Sequence, residues 1–92
     1  MRRKYRSQAA IIRDILKVIW EKGKVKPSRL ACYANLPYDR LQKYLEILES
    51  KGCVRKEVSN GDQWYILTET GFRILKELNR LQKIFESLGL KL

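Results

Sequence analysis

Between positions 38 and 43 the chain carries Tyr38, Asp39, Arg40, Gln42 and Lys43, all within two turns of a predicted helix. Each ends in a hydrogen-bond donor or acceptor, and Arg40 and Gln42 end in flat groups able to make paired hydrogen bonds. That chemistry is recognition, not bond making. An arginine fork matches the O6 and N7 edge of guanine, and a glutamine amide matches the N6 and N7 edge of adenine. Asp39 and Glu46 work against a phosphate partner. They fit as groups that orient Arg40 or Lys43, accept from cytosine, or face away.

Catalytic chemistry has no comparable set. The chain contains no histidine, no glycine-rich phosphate loop and no Gly-x-Ser-x-Gly elbow. Its acids fall about one per helical turn beside basic residues, a solvated-surface pattern, so an enzyme is not expected. Cys32 and Cys53 stand alone, with no Cys-x-x-Cys pair and no histidine to complete a zinc set. Both are expected to be buried thiols, joined as a disulfide only in an unusual redox setting. No metal and no cofactor are expected.

These side chains need elements to hold them. Ser7 caps a first helix whose apolar face is Ile11, Ile12, Ile15, Leu16 and Ile19, ending near Lys22-Gly23. Trp20 lies beside this stripe. Lys24 to Lys26 read as a short strand, and Pro27-Ser28 start a second helix with Leu30, Ala31 and Ala34 inward. Leu36 packs in the following turn, and Pro37 separates this helix from the next by biasing Leu36 away from helical geometry. Leu41, Leu45 and Leu48 form the inward stripe of the third helix, which Gly52 closes in a left-handed conformation.

Cys53 to Val58 and Gln63 to Leu67 are β-rich runs, and Asn60-Gly61 between them is a strong hairpin signal because both residues tolerate positive φ. Trp64 and Tyr65 alternate faces, so one belongs to the core and the other leans on a neighbouring helix. Thr68 caps the last helix. There Ile74, Leu78, Leu81, Phe85 and Leu88 recur at spacings of four, three, four and three, a coiled-coil seam widened by Phe72, Leu75 and Ile84. Such a helix could instead fold back onto its own domain, but at about 1.5 Å per residue it runs about 30 Å, more than a three-helix head can cover, so a homodimer through this seam is expected. The fold class is therefore mainly α with a small β-hairpin wing: a winged helix-turn-helix plus a long C-terminal coiled-coil helix. Residues 1–7 form a basic arm, 8–68 the winged-helix domain and 69–92 the dimerisation helix.

The charge supports a polyanionic partner. Lysine and arginine number 20 against 10 acids, for a net charge of +10, and 45% of the 92 residues are hydrophobic, enough for one core. Half of the basic residues lie at or before position 29, where only Asp14 and Glu21 oppose them. Arg2, Arg3, Lys4 and Arg6 suit phosphates or a groove. Lys26, Ser28 and Arg29 sit where a helix start would clamp backbone. Arg55, Lys56 and Asn60 occupy the wing, although basic residues also guard exposed strand edges. No apolar run reaches the roughly 18 residues of a membrane span, and Arg13, Asp14 and Lys17 interrupt the first helix against a signal-peptide reading. A cytoplasmic, nucleoid-associated place is the simplest expectation.

The runs Ile11-Ile-Arg-Asp-Ile-Leu16, Ser28-Arg-Leu-Ala-Cys-Tyr-Ala-Asn-Leu-Pro-Tyr-Asp-Arg-Leu-Gln-Lys-Tyr-Leu45 and Leu67-Thr-Glu-Thr-Gly71 together resemble the small archaeal winged-helix DNA-binding proteins. The likeness is nearest to the ten-kilodalton DNA-binding proteins of Sulfolobus, with similar proteins in archaeal viruses, and it covers nearly the whole chain. It implies a homodimer joined by an antiparallel coiled coil of the last helix. It also implies duplex DNA as ligand, contacted around Tyr38 to Lys43 and Arg55 to Asn60. Pro37 departs from the polar cap expected before the recognition helix. The expected function is a dimeric duplex-DNA-binding transcriptional regulator. The alternatives are an architectural chromatin protein of weak specificity and a winged-helix protein-interaction module. An RNA reading lacks an exposed stacking platform, and membrane binding would expose Ile12, Leu16 and Ile19.

Overall fold

A computed structural model describes residues 6–92. Ser7 Oγ accepts from the Ala10 N–H at 3.0 Å and so caps α1, Gln8–Lys22, which ends at Gly23 with φ +80. Its inward face is the expected stripe, with Ile11, Ile15, Leu16 and Ile19 buried. A two-residue strand β1, Lys24–Val25, leads into α2, Pro27–Ala34. Asn35 ends α2 in the left-handed conformation, φ 56, and the Leu36 N–H returns to the Ala31 carbonyl at 3.0 Å. That reversal sets the start of α3, Tyr38–Ser50. Pro37 supplies no side-chain cap there, and Asp39 complements the positive end of the helix dipole instead.

The hairpin β2, Val54–Ser59, and β3, Asp62–Leu67, turns through Asn60 and Gly61 at φ 52 and 78. Both positive values match a tight primed turn, the kind whose twist suits paired strands. The sheet has three strands in the order β1-β3-β2, all antiparallel, with Val25 opposite Tyr65 and Val54 opposite Leu67. Tyr65, Val25 and Val54 point into one core with the buried faces of α1, α2 and α3. Burial raises the Tyr65 phenol above its ordinary range, with Glu49, Tyr38 and Glu46 adding to it and a Gln63 hydrogen bond opposing. Trp64 takes the other side of the strand, as the alternation required.

The last helix, α4, spans Glu69–Ser87. Thr68 Oγ1 accepts from the Gly71 N–H at 3.0 Å and donates toward the carbonyls of Gly52 and Cys53. A Cβ at position 71 would sit 2.1 Å from the Cys53 carbonyl oxygen. Only glycine permits that approach of α4 to the root of β2. α4 packs on α1 with Leu75 buried, Ile74 and Leu78 lie partly buried against the same core, and Ser7 Oγ donates to the Leu92 carbonyl at 2.6 Å beyond the end of the helix.

One expectation fails. Cys53 is buried but Cys32 is exposed. Cys32 follows Leu30 and Ala31 at the point where the helical rotation carries a side chain away from the core, which here outweighs the usual preference of a free cysteine for burial. Burial pushes the Cys53 thiol above its ordinary range.

Candidate nucleic-acid interface

The inward leucines of α3 fix which residues face out. With Leu41, Leu45 and Leu48 in the core, Tyr38, Asp39, Arg40 and Lys43 are exposed and Gln42 is half-buried. Among the described residues, no ion pair ties down Asp39, Arg40 or Lys43. The N-terminal outer face of α3 therefore carries a phenol, a carboxylate, a guanidinium and an ammonium, free to meet a partner. Ile47 is exposed farther along the same helix. It falls outside the stripe of Leu41, Leu45 and Leu48, an offset legible in the spacing.

The wing divides its residues by strand alternation. Arg55 and Lys56 are both exposed, but adjacent strand positions project to opposite faces, so one groove cannot receive both in the same way. Lys56 Nζ lies 3.6 Å from Glu49 Oε1 on α3. Asn60 stands at the exposed tip. Val58, on the Lys56 side, is among the most exposed large apolar residues described. An apolar residue next to the polar hairpin tip of residues 59–63 was the available signal for it.

Of the backbone set, Arg2, Arg3 and Lys4 lie outside the described residues. Arg6 is engaged within the fold: it contacts Asp14 Oδ2 at 2.6 Å and donates to the Asn35 carbonyl at 2.8 Å. That pair ties the start of α1 to the α2–α3 turn. Arg13 similarly donates to Asn79 Oδ1 on α4 at 2.7 Å and lies 3.2 Å from Asp14. Lys26 Nζ lies 3.2 Å from Asp62 Oδ2 on the wing. Ser28 and Arg29 are exposed in the first turn of α2, which has no side-chain cap. The fold thus brings Lys26, Ser28 and Arg29 together and holds Arg6 by a separate contact.

The α4 seam also divides. Ile74 and Leu78 pack on the chain's own core, and Phe85 is half-buried. Leu81, Ile84 and Leu88 are exposed. Trp20, which no stripe claimed, stacks on Phe72 with ring centroids 5.7 Å apart. Among the described residues, no group of three or more histidine, cysteine or acidic side chains could hold a metal ion, and no helix is long and apolar enough to cross a membrane.

Two helices meeting at a left-handed turn, a second helix with a free polar N-terminal face, and a hairpin behind it define a winged helix-turn-helix protein. The chain belongs to the winged helix-turn-helix family, which it matches over residues 5–86. It is 34% identical over 86 residues to the uncharacterized protein MJ0287 of Methanocaldococcus jannaschii, covering 94% of this chain and 84% of that one. Its structure is similar to that of Sso10a-2, a DNA-binding protein from Sulfolobus solfataricus, with a TM-score of 0.81 and 29% identity over 90% of this chain and 85% of that one. A MarR-family transcriptional regulator from Silicibacter pomeroyi aligns with a TM-score of 0.69 and 25% identity, over 77% of this chain and 49% of the regulator. This chain therefore spans about half the length of that regulator.

Proposed function

We propose that this protein binds double-stranded DNA as a homodimer and regulates transcription, with α3 in the major groove and the wing alongside. The observation that carries the reading is the exposed N-terminal face of α3, where Tyr38, Asp39, Arg40 and Lys43 stand uncommitted at the place a recognition helix presents to base edges. The net charge of +10 and the likeness to Sso10a-2 support a polyanionic ligand of this kind. Dimerisation is inferred from Leu81, Ile84 and Leu88, an apolar row on the distal half of α4 that a second copy of α4 would cover.

A second reading, an architectural protein of weak specificity, draws on one observation. On the outer face of α3, Asp39 and Glu46 offset Arg40 and Lys43, so the excess of positive charge lies elsewhere, in residues suited to phosphates. Selection from random duplex DNA across a salt series separates the two. A recurring motif supports the regulator, and equal recovery of all sequences supports the architectural role. If each protomer neutralises roughly six to eight phosphates, log affinity falls with log salt at a slope of about −5 to −7. No duplex binding at low salt would overturn both and leave a protein-interaction module.

A further inference from the structure

Lys22, Lys24, Lys26 and Arg29 converge with the rings of Tyr33 and Trp64 on a concavity of about 350 Å³. Lys22 Nζ lies 4.4 Å from the Tyr33 ring centroid, and Lys24 Nζ and Lys26 Nζ lie 4.6 and 5.2 Å from that of Trp64. The β1–β3 register assembles the group. Val25 opposite Tyr65 turns into the core, so Lys24 opposite Ile66 and Trp64 beside it turn away from the core. The cluster is thus built on a different side of the sheet from the one that packs on α3.

Four cations so close repel one another. Stacking on aromatic faces offsets part of that cost but leaves the net charge in place. Among the described residues, Asp62 is the one carboxylate paired with any of the four, through Lys26. The first turn of α2 borders the same concavity without a side-chain cap, so its N–H groups add positive potential.

We infer that this concavity is a phosphate-binding site, distinct from the α3 face, which takes the phosphate of a nucleic-acid strand or of a free phosphate-bearing small molecule. A tetrahedral oxyanion accepts from several lysines and an arginine at once, and each such charge-assisted bond is stronger than a neutral one. The site does not depend on α3 reading duplex DNA, because inorganic phosphate alone is the probe.

Trp20→Phe leaves Trp64 as the single tryptophan and so reports the site by fluorescence. Exchanging chloride for inorganic phosphate at constant ionic strength should change Trp64 emission saturably. Lys24→Ala with Lys26→Ala should weaken that response about tenfold or more, one such factor being about 1.4 kcal/mol. Lys43→Ala on α3 should leave it unchanged. In the unaltered chain, phosphate should raise the unfolding midpoint relative to chloride. Should the double variant lose cooperative unfolding, Lys22→Ala with Arg29→Ala tests the same site. Equal responses to phosphate, chloride and glutamate would overturn the inference, as would a folded double variant that keeps the full phosphate response. The source is then read by competition: duplex DNA that shields Trp64 from iodide assigns the site to a nucleic-acid strand. A 5′-mononucleotide that still binds when duplex is saturating assigns it to a small molecule.

Discussion

The third and fourth helices carry the same leucine periodicity and meet opposite fates. In α3, Leu45 has no exposed surface, while in α4 Leu81 keeps 43% of its surface exposed and Leu88 keeps 65%. The difference lies in what faces them. Residues of α1, α2 and the sheet enclose the α3 stripe, whereas beyond Leu78 α4 lies beside the start of α1, where Ser7 Oγ reaches the Leu92 carbonyl at 2.6 Å, and leaves Leu81 and Leu88 on its open side. Periodicity announces an apolar face; it does not say whether the chain itself or a second copy covers it.

Matched substitutions sharpen that contrast. Leu45→Ala should destabilise the head by about 2–5 kcal/mol, because a sealed core collapses only partly around the missing atoms. Chemical denaturation should show the loss at every protein concentration. Gly71→Ala should cost about 1–3 kcal/mol through the clash with the Cys53 carbonyl, outweighing the gain of about 0.5–1 kcal/mol that alanine brings inside a helix. A more stable Gly71→Ala variant would mean that α4 does not seat on β2 as described.

In the distal half the effect should appear in assembly. Leu81→Glu with Phe85→Glu should give a monomer by light scattering, while the head's melting temperature at low protein concentration moves little. Unchanged dimerisation, or an unaltered chain that is monomeric at every concentration, would break the comparison.

The smallest effect is alkaline. Tyr65 and Cys53 have folded-state values raised above the ordinary 10.0 and 9.0, so each contributes stability that is full below its ordinary value and lost as pH rises through the folded one. Tyr65→Phe should flatten the upper part of that decline in a stability-against-pH series.

Much of the fold was legible because it depends on local chemistry. The hydroxyls of Ser7 and Thr68, the Asn60-Gly61 pair and the spacing of Leu41, Leu45 and Leu48 each act within a few residues, and each sits as read. What stayed hidden depends on distant pairing. Cys32 and Cys53 look alike in the sequence, and packing alone separates them. The Arg6 contacts with Asp14 and Asn35 required knowing how α1 meets the α2–α3 turn. The lysines around Trp64 required the β1–β3 register, which joins positions some forty residues apart. The expected α3 face was legible for the same reason as its stripe: its exposed residues are those that the core leaves out.

The seating of Gly71 against Cys53 also has a mechanical meaning. A rod clamped at its base has no hinge there. Thr68 fastens the first turn of α4 to the carbonyls at the foot of β2, and Gly71 lets the two lie close enough for it to do so. The root of the wing and the first turn of α4 are therefore set by one contact, and a change at either is a change at both.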